Sequence, residues 1–152
     1  MRRPFSVQVF LVTKEIAGTH SYLLLQRRAS PSLGLPAFWQ GISGALKASE
    51  TFANAARREV REETGIILRS VIDTGFTQSF PIQPAWREKY GKGPSDITEK
   101  LFFAVLPSRV EPTLSPEHSE WRWCSADEAV QRLTFGHNAK CIRVIGEHLS
   151  RR

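Results

Sequence analysis

The segment from residue 44 to residue 66 constrains the fold more than any other part of the chain. Residues 51–64 are good helix formers without an internal proline or glycine. Ser49 or Thr51 can cap the amino-terminal end, and Gly65 stands where a helix commonly terminates. The segment therefore predicts a helix with both ends marked in the sequence.

One face of this predicted helix changes character along its length. Steps of three and four residues place six side chains on a single stripe: Phe52, Ala55, Ala56, Glu59, Glu62 and Glu63. The stripe begins apolar and becomes acidic, while the nearby arginines lie on the other side. Carboxylates at this spacing repel one another unless a cation neutralises them. A hard divalent ion such as Mg²⁺, which binds a few carboxylates together with phosphate oxygens, would satisfy the pattern.

Exposed Arg–Glu pairs are the simpler interpretation of such a charge run, but the spacing of the whole segment argues against it. The spacing is Gly, five residues, Glu, seven residues, then Arg-Glu-hydrophobic-x-Glu-Glu-x-Gly-hydrophobic, and nine residues fit it: Gly44, Glu50, Arg58, Glu59, Val60, Glu62, Glu63, Gly65 and Ile66. Such a match is expected by chance at fewer than about 10⁻⁹ of starting positions. This pattern is the Nudix box, and the chain resembles a Nudix hydrolase.

The resemblance implies an α+β fold, an α/β/α sandwich with a central mixed sheet and the box as a loop followed by a helix. The hydrophobic patterns outside the box predict strands at 5–13, 22–25, 66–72, 101–106 and 121–124, irregular connections at 28–36 and 80–96, and helices at 125–133 and 138–149. A chain of 152 residues suits one Nudix domain over 1–152, without a separate recognition domain.

The resemblance also implies a reaction, in which water attacks phosphorus of a nucleoside diphosphate linked to another group. Mg²⁺ is the expected cofactor, with Mn²⁺ as the alternative. The expected metal ligands are four glutamates: Glu59, Glu62, Glu63 and Glu117. Glu62, Glu63 and Glu117 are also expected to act in catalysis, and both Glu63 and Glu117 are candidates for the general base. Arg58 is expected to orient the glutamates through charge-assisted hydrogen bonds.

Short motifs outside the box resemble one branch of the family, the dihydroneopterin triphosphate pyrophosphohydrolases, also described as dATP pyrophosphohydrolases. The motifs are Gln26-Arg27-Arg28, Phe38-Trp39-Gln40, and Pro116-Glu117-His118 ahead of a tryptophan strand. The resemblance implies that Arg27 and Arg28 bind phosphate and that Trp39 stacks on the substrate. Ser43 stands where the branch has threonine and is expected to contact the substrate. A solvated strand end and a core tryptophan are the structural alternatives.

Other substrates and roles within the family stay open. Pro81 resembles a marker of ADP-ribose pyrophosphatases, whereas the tyrosine expected in dinucleoside polyphosphate hydrolases is missing. Processing of RNA 5′ ends would suit the net charge of +6, but the basic residues are scattered rather than clustered in a stripe. A non-catalytic binding module is disfavoured because all box glutamates are present.

The composition argues against several classes of protein. A hydrophobic content of 41% with 24% charged residues argues against disorder, and no apolar run reaches the ~18 residues of a membrane span. Two cysteines are too few for a disulfide framework, and the first residues do not predict a signal peptide, so a cytoplasmic location is expected. The positive charge alone suits any polyanion, and only together with the acidic cluster of the box does it favour a small phosphorylated substrate over nucleic acid or a membrane. A monomer or a homodimer is expected.

Overall fold

Seven strands form one mixed sheet, centred on the hydrophobic amino-terminal strand. The computed structural model describes residues 2–152, and in that range the strands are β1 (Phe5–Lys14), β2 (His20–Arg27), β3 (Phe38–Gln40), β4 (Ile42–Ala45), β5 (Ile72–Pro81), β6 (Asp96–Leu106) and β7 (His118–Ser125). β1 pairs in parallel with β6 and antiparallel with β2 and β4. β3 and β7 pair with β2, and β5 pairs with β6, all antiparallel.

Helices cover both faces of this sheet. The described part of the chain contains α1 (Phe52–Thr64), α2 (Arg87–Tyr90), α3 (Ala126–Arg132) and α4 (Gly136–Ser150). On one face, Val9 of β1 packs in a core with Val60 of α1, and on the other, Phe10 packs in a second core with Ile145 of α4. Successive residues of a strand point to opposite faces, so β1 supplies both cores. The predicted α/β/α sandwich with a mixed sheet is confirmed.

The helix predicted at 51–64 is α1, and its ends form as the sequence indicates. Thr51 caps the start, because its hydroxyl accepts a hydrogen bond of 3.1 Å from the backbone N–H of Asn54. Gly65 closes the end in the left-handed conformation, with φ of 77°, which side-chain-bearing residues rarely adopt. Among the described residues, no helix has the length and apolar character that a membrane span requires.

The strand predicted at 66–72 is wrong, because the chain stays irregular between α1 and β5. Leu68 and Val71 pack, partly buried, against the core beneath α1, so their hydrophobicity reflects loop packing rather than strand pairing. β5 itself alternates between half-buried and exposed residues, and its pairing with β6 shifts register around Gly75. This irregularity and the polar residues of β5 conceal the strand from a search for hydrophobic runs.

The long loop predicted at 80–96 joins β5 to β6 and is partly helical. A turn of 3₁₀ helix over Pro84–Trp86 leads into α2. A small apolar cluster holds this segment together, with Ile82, Tyr90 and Ile97 buried in it. The segment therefore has its own packing and forms a defined wall beside the sheet.

Candidate active site

A cavity of about 1260 Å³ lies between the box, the 80–96 segment and the start of α4. This volume exceeds the ~300–1000 Å³ of most small-molecule sites, so it has room for a phosphorylated heterocycle. Seven of the residues that the sequence predicts for the site line it: Arg27, Ser43, Arg58, Glu59, Glu62, Glu63 and Glu117. The structure does not bring Arg28 or Trp39 to this cavity.

Arg58 organises the carboxylates of the box. Its Nε and Nη2 atoms donate to the two carboxylate oxygens of Glu50 at 2.7 and 2.8 Å. Its Nη1 atom donates to Glu59 at 2.7 Å and to Glu62 at 3.2 Å. The Arg58 hydrogen bonds hold the pKa of Glu50 at about 2, and the pKa of Arg58 is raised in turn. One buried guanidinium therefore joins the loop before α1 to two of the proposed metal ligands.

Glu59 is a buried carboxylate of the box, with 8% of its surface exposed. Burial raises its pKa to about 7, and this effect outweighs the hydrogen bond from Arg58. The backbone of Gly44 passes so close that a side chain at that position would collide with the Glu59 carboxyl group. Gly44 is therefore required by close approach, and the carboxyl group of Glu59 is held between strand and helix.

Glu63 is held by two residues from the segment that leads into β7. The Ser115 hydroxyl donates to Oε2 of Glu63 at 2.6 Å. The Nδ1 atom of His118 lies 2.7 Å from the same oxygen, at ion-pair distance but without hydrogen-bond alignment. Burial would raise the pKa of Glu63, but the contacts with His118 and Ser115 prevail and the pKa is lowered. The sequence assigned no role to His118 or Ser115, although both adjoin the Pro116-Glu117 motif.

The carboxylates do not form a preassembled metal centre. Within residues 2–152, no three His, Cys, Asp or Glu side chains are placed to share one ion. The contacts explain this, because each carboxylate is directed at a different partner. Glu59 accepts a hydrogen bond from Arg58, and Glu63 accepts one from Ser115. The half-exposed Glu62 lies 3.9 Å from the Lys47 ammonium group. The oxygen donors nevertheless fit a hard divalent cation, and such an ion would neutralise the buried Glu59. Glu117 lies exposed at the same cavity.

The remaining predicted residues divide into two groups. Arg27 and Ser43 line the cavity, and the charge of Arg27 is close enough to lower the pKa of Glu63. Arg28 instead donates from Nε to the backbone carbonyl of Pro116 at 3.0 Å. Trp39 packs beside the core under α3 and α4, with the Arg132 guanidinium 5.3 Å from its ring centroid. The positions of Arg28 and Trp39 therefore match the structural alternatives considered for them.

The end of the cavity beside α4 contains residues that sequence reasoning missed. Phe38 and Phe135 pack edge to face with centroids 4.9 Å apart, and His137 stacks on Phe135 at 5.7 Å. Buried polar side chains from three elements also line this end: Gln8, Glu99 and Asn138. Gln8 inside the largely apolar strand β1 was the available signal, whereas Glu99 lies in the polar first half of β6 and gives none. Their meeting point depends on long-range strand pairing, which no local pattern reveals.

Comparison with known proteins agrees with this fold. The NUDIX domain pattern matches residues 2–143, so the chain belongs to the Nudix hydrolase family. Dihydroneopterin triphosphate diphosphatase of Escherichia coli K12 is 33% identical over 145 residues, which cover 93% of this chain and 91% of that protein. The enzyme of the same name from Haemophilus influenzae is 31% identical over 142 residues, with coverage of 91% and 84%.

Solved structures show the same relationship. The E. coli dihydroneopterin triphosphate pyrophosphohydrolase superposes with a TM-score of 0.78 at 30% identity, covering 95% of this chain and 97% of that one. A Nudix hydrolase structure from Listeria monocytogenes gives a TM-score of 0.81 at 26% identity, with coverage of 98% and 96%. The protein is therefore a Nudix pyrophosphohydrolase, an enzyme that acts on pyrophosphate bonds, and members of its family generally use divalent metal ions.

Proposed function

We propose that this protein hydrolyses dihydroneopterin triphosphate to the monophosphate and pyrophosphate with Mg²⁺ as cofactor, residues 1–152 forming one catalytic domain. The observation that carries the proposal is the single cavity with carboxylates of the Nudix box at one end and an aromatic, partly polar pocket at the other. The identity of 31% and 33% to two enzymes of that name supports the same substrate.

The proposed metal ligands are Glu59, Glu62, Glu63 and Glu117, and Mn²⁺ is the expected substitute for Mg²⁺. The bound ion supplies charge neutralisation of the triphosphate and lowers the pKa of water. Arg58 keeps Glu59 and Glu62 oriented through its hydrogen bonds to both carboxylates. Arg27, at the same cavity, places a guanidinium where it can pair with phosphate oxygens. Ser43 adds a hydroxyl on β4 to the cavity wall.

Glu117 is the better candidate for the general base. The contacts of Glu63 with Ser115 and His118 lower its pKa, which suits a permanently ionised ligand and weakens it as a proton acceptor. Glu117 is exposed at the cavity, where it can accept a proton from water and release it to solvent. Glu63 therefore serves as a fixed, ionised metal ligand, and the solvent-exposed Glu117 serves as the general base.

The proposal is tested by turnover of a substrate panel with Mg²⁺: dihydroneopterin triphosphate, dATP, ADP-ribose and diadenosine tetraphosphate. Release of pyrophosphate with a pterin monophosphate is expected. Hydrolysis of dATP is the second candidate activity, because a purine is also a flat ring that fits beside Phe38 and Phe135. Preferred release of AMP from ADP-ribose or from the dinucleotide would overturn the proposal.

A further inference from the structure

Three buried polar side chains meet at the end of the cavity beside α4. Gln8 of β1 is 2% exposed, Glu99 of β6 is 6% exposed and Asn138 of α4 is 2% exposed. β1 and β6 pair in parallel with Gln8 opposite Leu101, so Gln8 and Glu99 lie on adjacent strands and on the same face of the sheet. None of the three belongs to the Nudix box or to the metal ligands proposed above.

The group is only partly satisfied by its own hydrogen bonds. The side-chain amide of Gln8 donates to Oδ1 of Asn138 at 3.0 Å. Oε1 of Glu99 and Oε1 of Gln8 are buried without a hydrogen-bond partner among the described residues. A buried oxygen of this kind costs free energy, and burial raises the pKa of Glu99 to about 7. Packing alone does not explain a carboxylate here, since a leucine would fill the strand position more favourably.

The walls beside these oxygens suit a flat ring. Phe38, Phe135 and His137 line the same cavity and pack against one another through their rings. A heterocycle at this end would have apolar faces beside it and polar acceptors at its edge. N–H donors on the rim of such a ring would supply the missing partners of Glu99 and Gln8.

We propose that Glu99 is the specificity-determining residue for the heterocycle, accepting hydrogen bonds from a ring N–H and the adjacent exocyclic amino group of a 2-amino-4-oxo ring. Pterin and guanine share this edge, in which two donors stand side by side and match the two oxygens of a carboxylate. Adenine presents a ring acceptor beside its amino group, so one oxygen of Glu99 would face a lone pair. The inference rests on the proposed function in that both place a heterocycle at this end of the cavity.

The first test measures binding without turnover, in metal-free protein, so that it does not depend on the hydrolytic function. Neopterin, guanosine and adenosine are titrated calorimetrically into wild type and into Glu99→Gln. Wild type is expected to bind neopterin and guanosine more tightly than adenosine. The variant is expected to bind neopterin and guanosine roughly 10- to 100-fold more weakly, because one bidentate pair of hydrogen bonds is lost. Its affinity for adenosine is expected to stay the same. No preference in wild type, or affinities for neopterin and guanosine that are the same in the variant as in wild type, would overturn the proposal.

The second test compares kcat/KM for dihydroneopterin triphosphate, dGTP and dATP. Glu99→Gln is expected to reduce the first two by a similar factor and to leave dATP within about threefold. The same loss on all three substrates would indicate a general structural defect and contradict the inference. If wild type hydrolyses none of them, the proposed function fails while the binding result still decides the role of Glu99.

Two controls separate recognition from folding. Glu147→Gln removes an exposed carboxylate on α4 and is expected to change neither binding nor turnover. Glu99→Gln preserves side-chain shape and removes a buried charge, so its melting temperature is expected to equal or exceed that of wild type. A lower melting temperature together with lost neopterin binding would count against a recognition role.

Discussion

Arg58 and Glu50 form a two-pronged ion pair that ties the loop of the Nudix box to its helix, with contacts of 2.7 and 2.8 Å. Both side chains are largely buried, at 12% and 14% exposure. Because the same guanidinium also reaches Glu59, the position of that carboxylate depends on a residue eight positions before Arg58. The Arg58–Glu50 ion pair therefore contributes both to the stability of the fold and to the position of Glu59.

Glu50→Gln is expected to reduce the free energy of unfolding by at least ~2 kcal/mol, because Arg58 stays buried without its full counter-charge. It is also expected to reduce kcat, since Arg58 can then shift away from Glu59. Urea denaturation measures the first effect and steady-state kinetics the second. Glu111→Gln, at an exposed position, is the control and is expected to change neither. Unchanged stability of the Glu50 variant would show that the pair contributes little.

Ser115→Ala is expected to raise the Mg²⁺ concentration needed for half-maximal activity by about 10-fold, as removal of a residue that holds a metal ligand commonly does. The physical reason is the loss of the 2.6 Å hydrogen bond that fixes Oε2 of Glu63. Metal titration of kcat measures the effect. Ser119→Ala removes a neighbouring exposed hydroxyl that contacts Gln26 and serves as the control. An unaltered Mg²⁺ requirement would show that Ser115 does not position Glu63 for metal binding.

Glu117→Gln and Glu63→Gln are expected to fail in different ways. Loss of Glu117 as general base should lower kcat by about 10²- to 10⁴-fold even at saturating Mg²⁺. Because Glu117 is exposed whereas Glu63 is held by Ser115, its loss as a ligand should weaken activation by Mg²⁺ less than the loss of Glu63 does. Loss of a ligand at Glu63 should weaken activation by Mg²⁺ as well as kcat. The measurement is kcat against Mg²⁺ concentration for both variants. If the two patterns were exchanged, Glu63 would be the base and Glu117 the more important ligand.

Gly44→Ala is expected to reduce kcat at least 10-fold, because the added methyl group would displace the Glu59 carboxyl group. Gly146→Ala is the matched control, since that glycine lies within α4 with no atom near the added methyl group. The control is expected to retain activity and to gain about 0.5–1 kcal/mol in stability, as alanine favours helix. Full activity of the Gly44 variant would mean that Glu59 adjusts without consequence.

Stability is expected to fall as pH rises from about 4.5 to 7 in metal-free protein, in part because of Glu99. Burial raises the pKa of this group from 4.5 to about 7. Between these values the folded protein binds more protons than the unfolded chain, so raising the pH favours unfolding. Glu59, also raised to about 7, adds a slope of the same sign. The difference between wild type and Glu99→Gln, measured by urea denaturation at several pH values, isolates Glu99. Parallel curves for the two proteins would contradict the assignment.

The sequence predicts those parts of the fold and site whose signals are local. The ends of α1 follow from Thr51 and Gly65, and the carboxylates of the box follow from spacing along one helix face. β5 escaped detection because polar residues and a register shift interrupt its pattern. Trp39 could not be assigned for a different reason. The sequence around an aromatic residue in a short strand does not indicate which face of the sheet its side chain will occupy.

Residues that depend on distant partners could not be assigned from sequence. Ser115 and His118 both contact Glu63, although Ser115 lies 52 positions further along the chain. Glu99 becomes unusual only when β6 is placed beside β1 and its carboxyl group is enclosed. Chain folding, rather than composition, creates these environments.

The separation between the two ends of the cavity has a consequence for how such enzymes diverge. The proposed hydrolytic end combines one continuous stretch, residues 44–66, with Arg27 and Glu117, while the proposed ring-binding end is assembled from β1, β6 and α4. Substitutions on those three elements can therefore change which compound is accepted without altering the groups that cleave it. Descendants of one ancestor could acquire new substrates by small steps and remain competent hydrolases at every step.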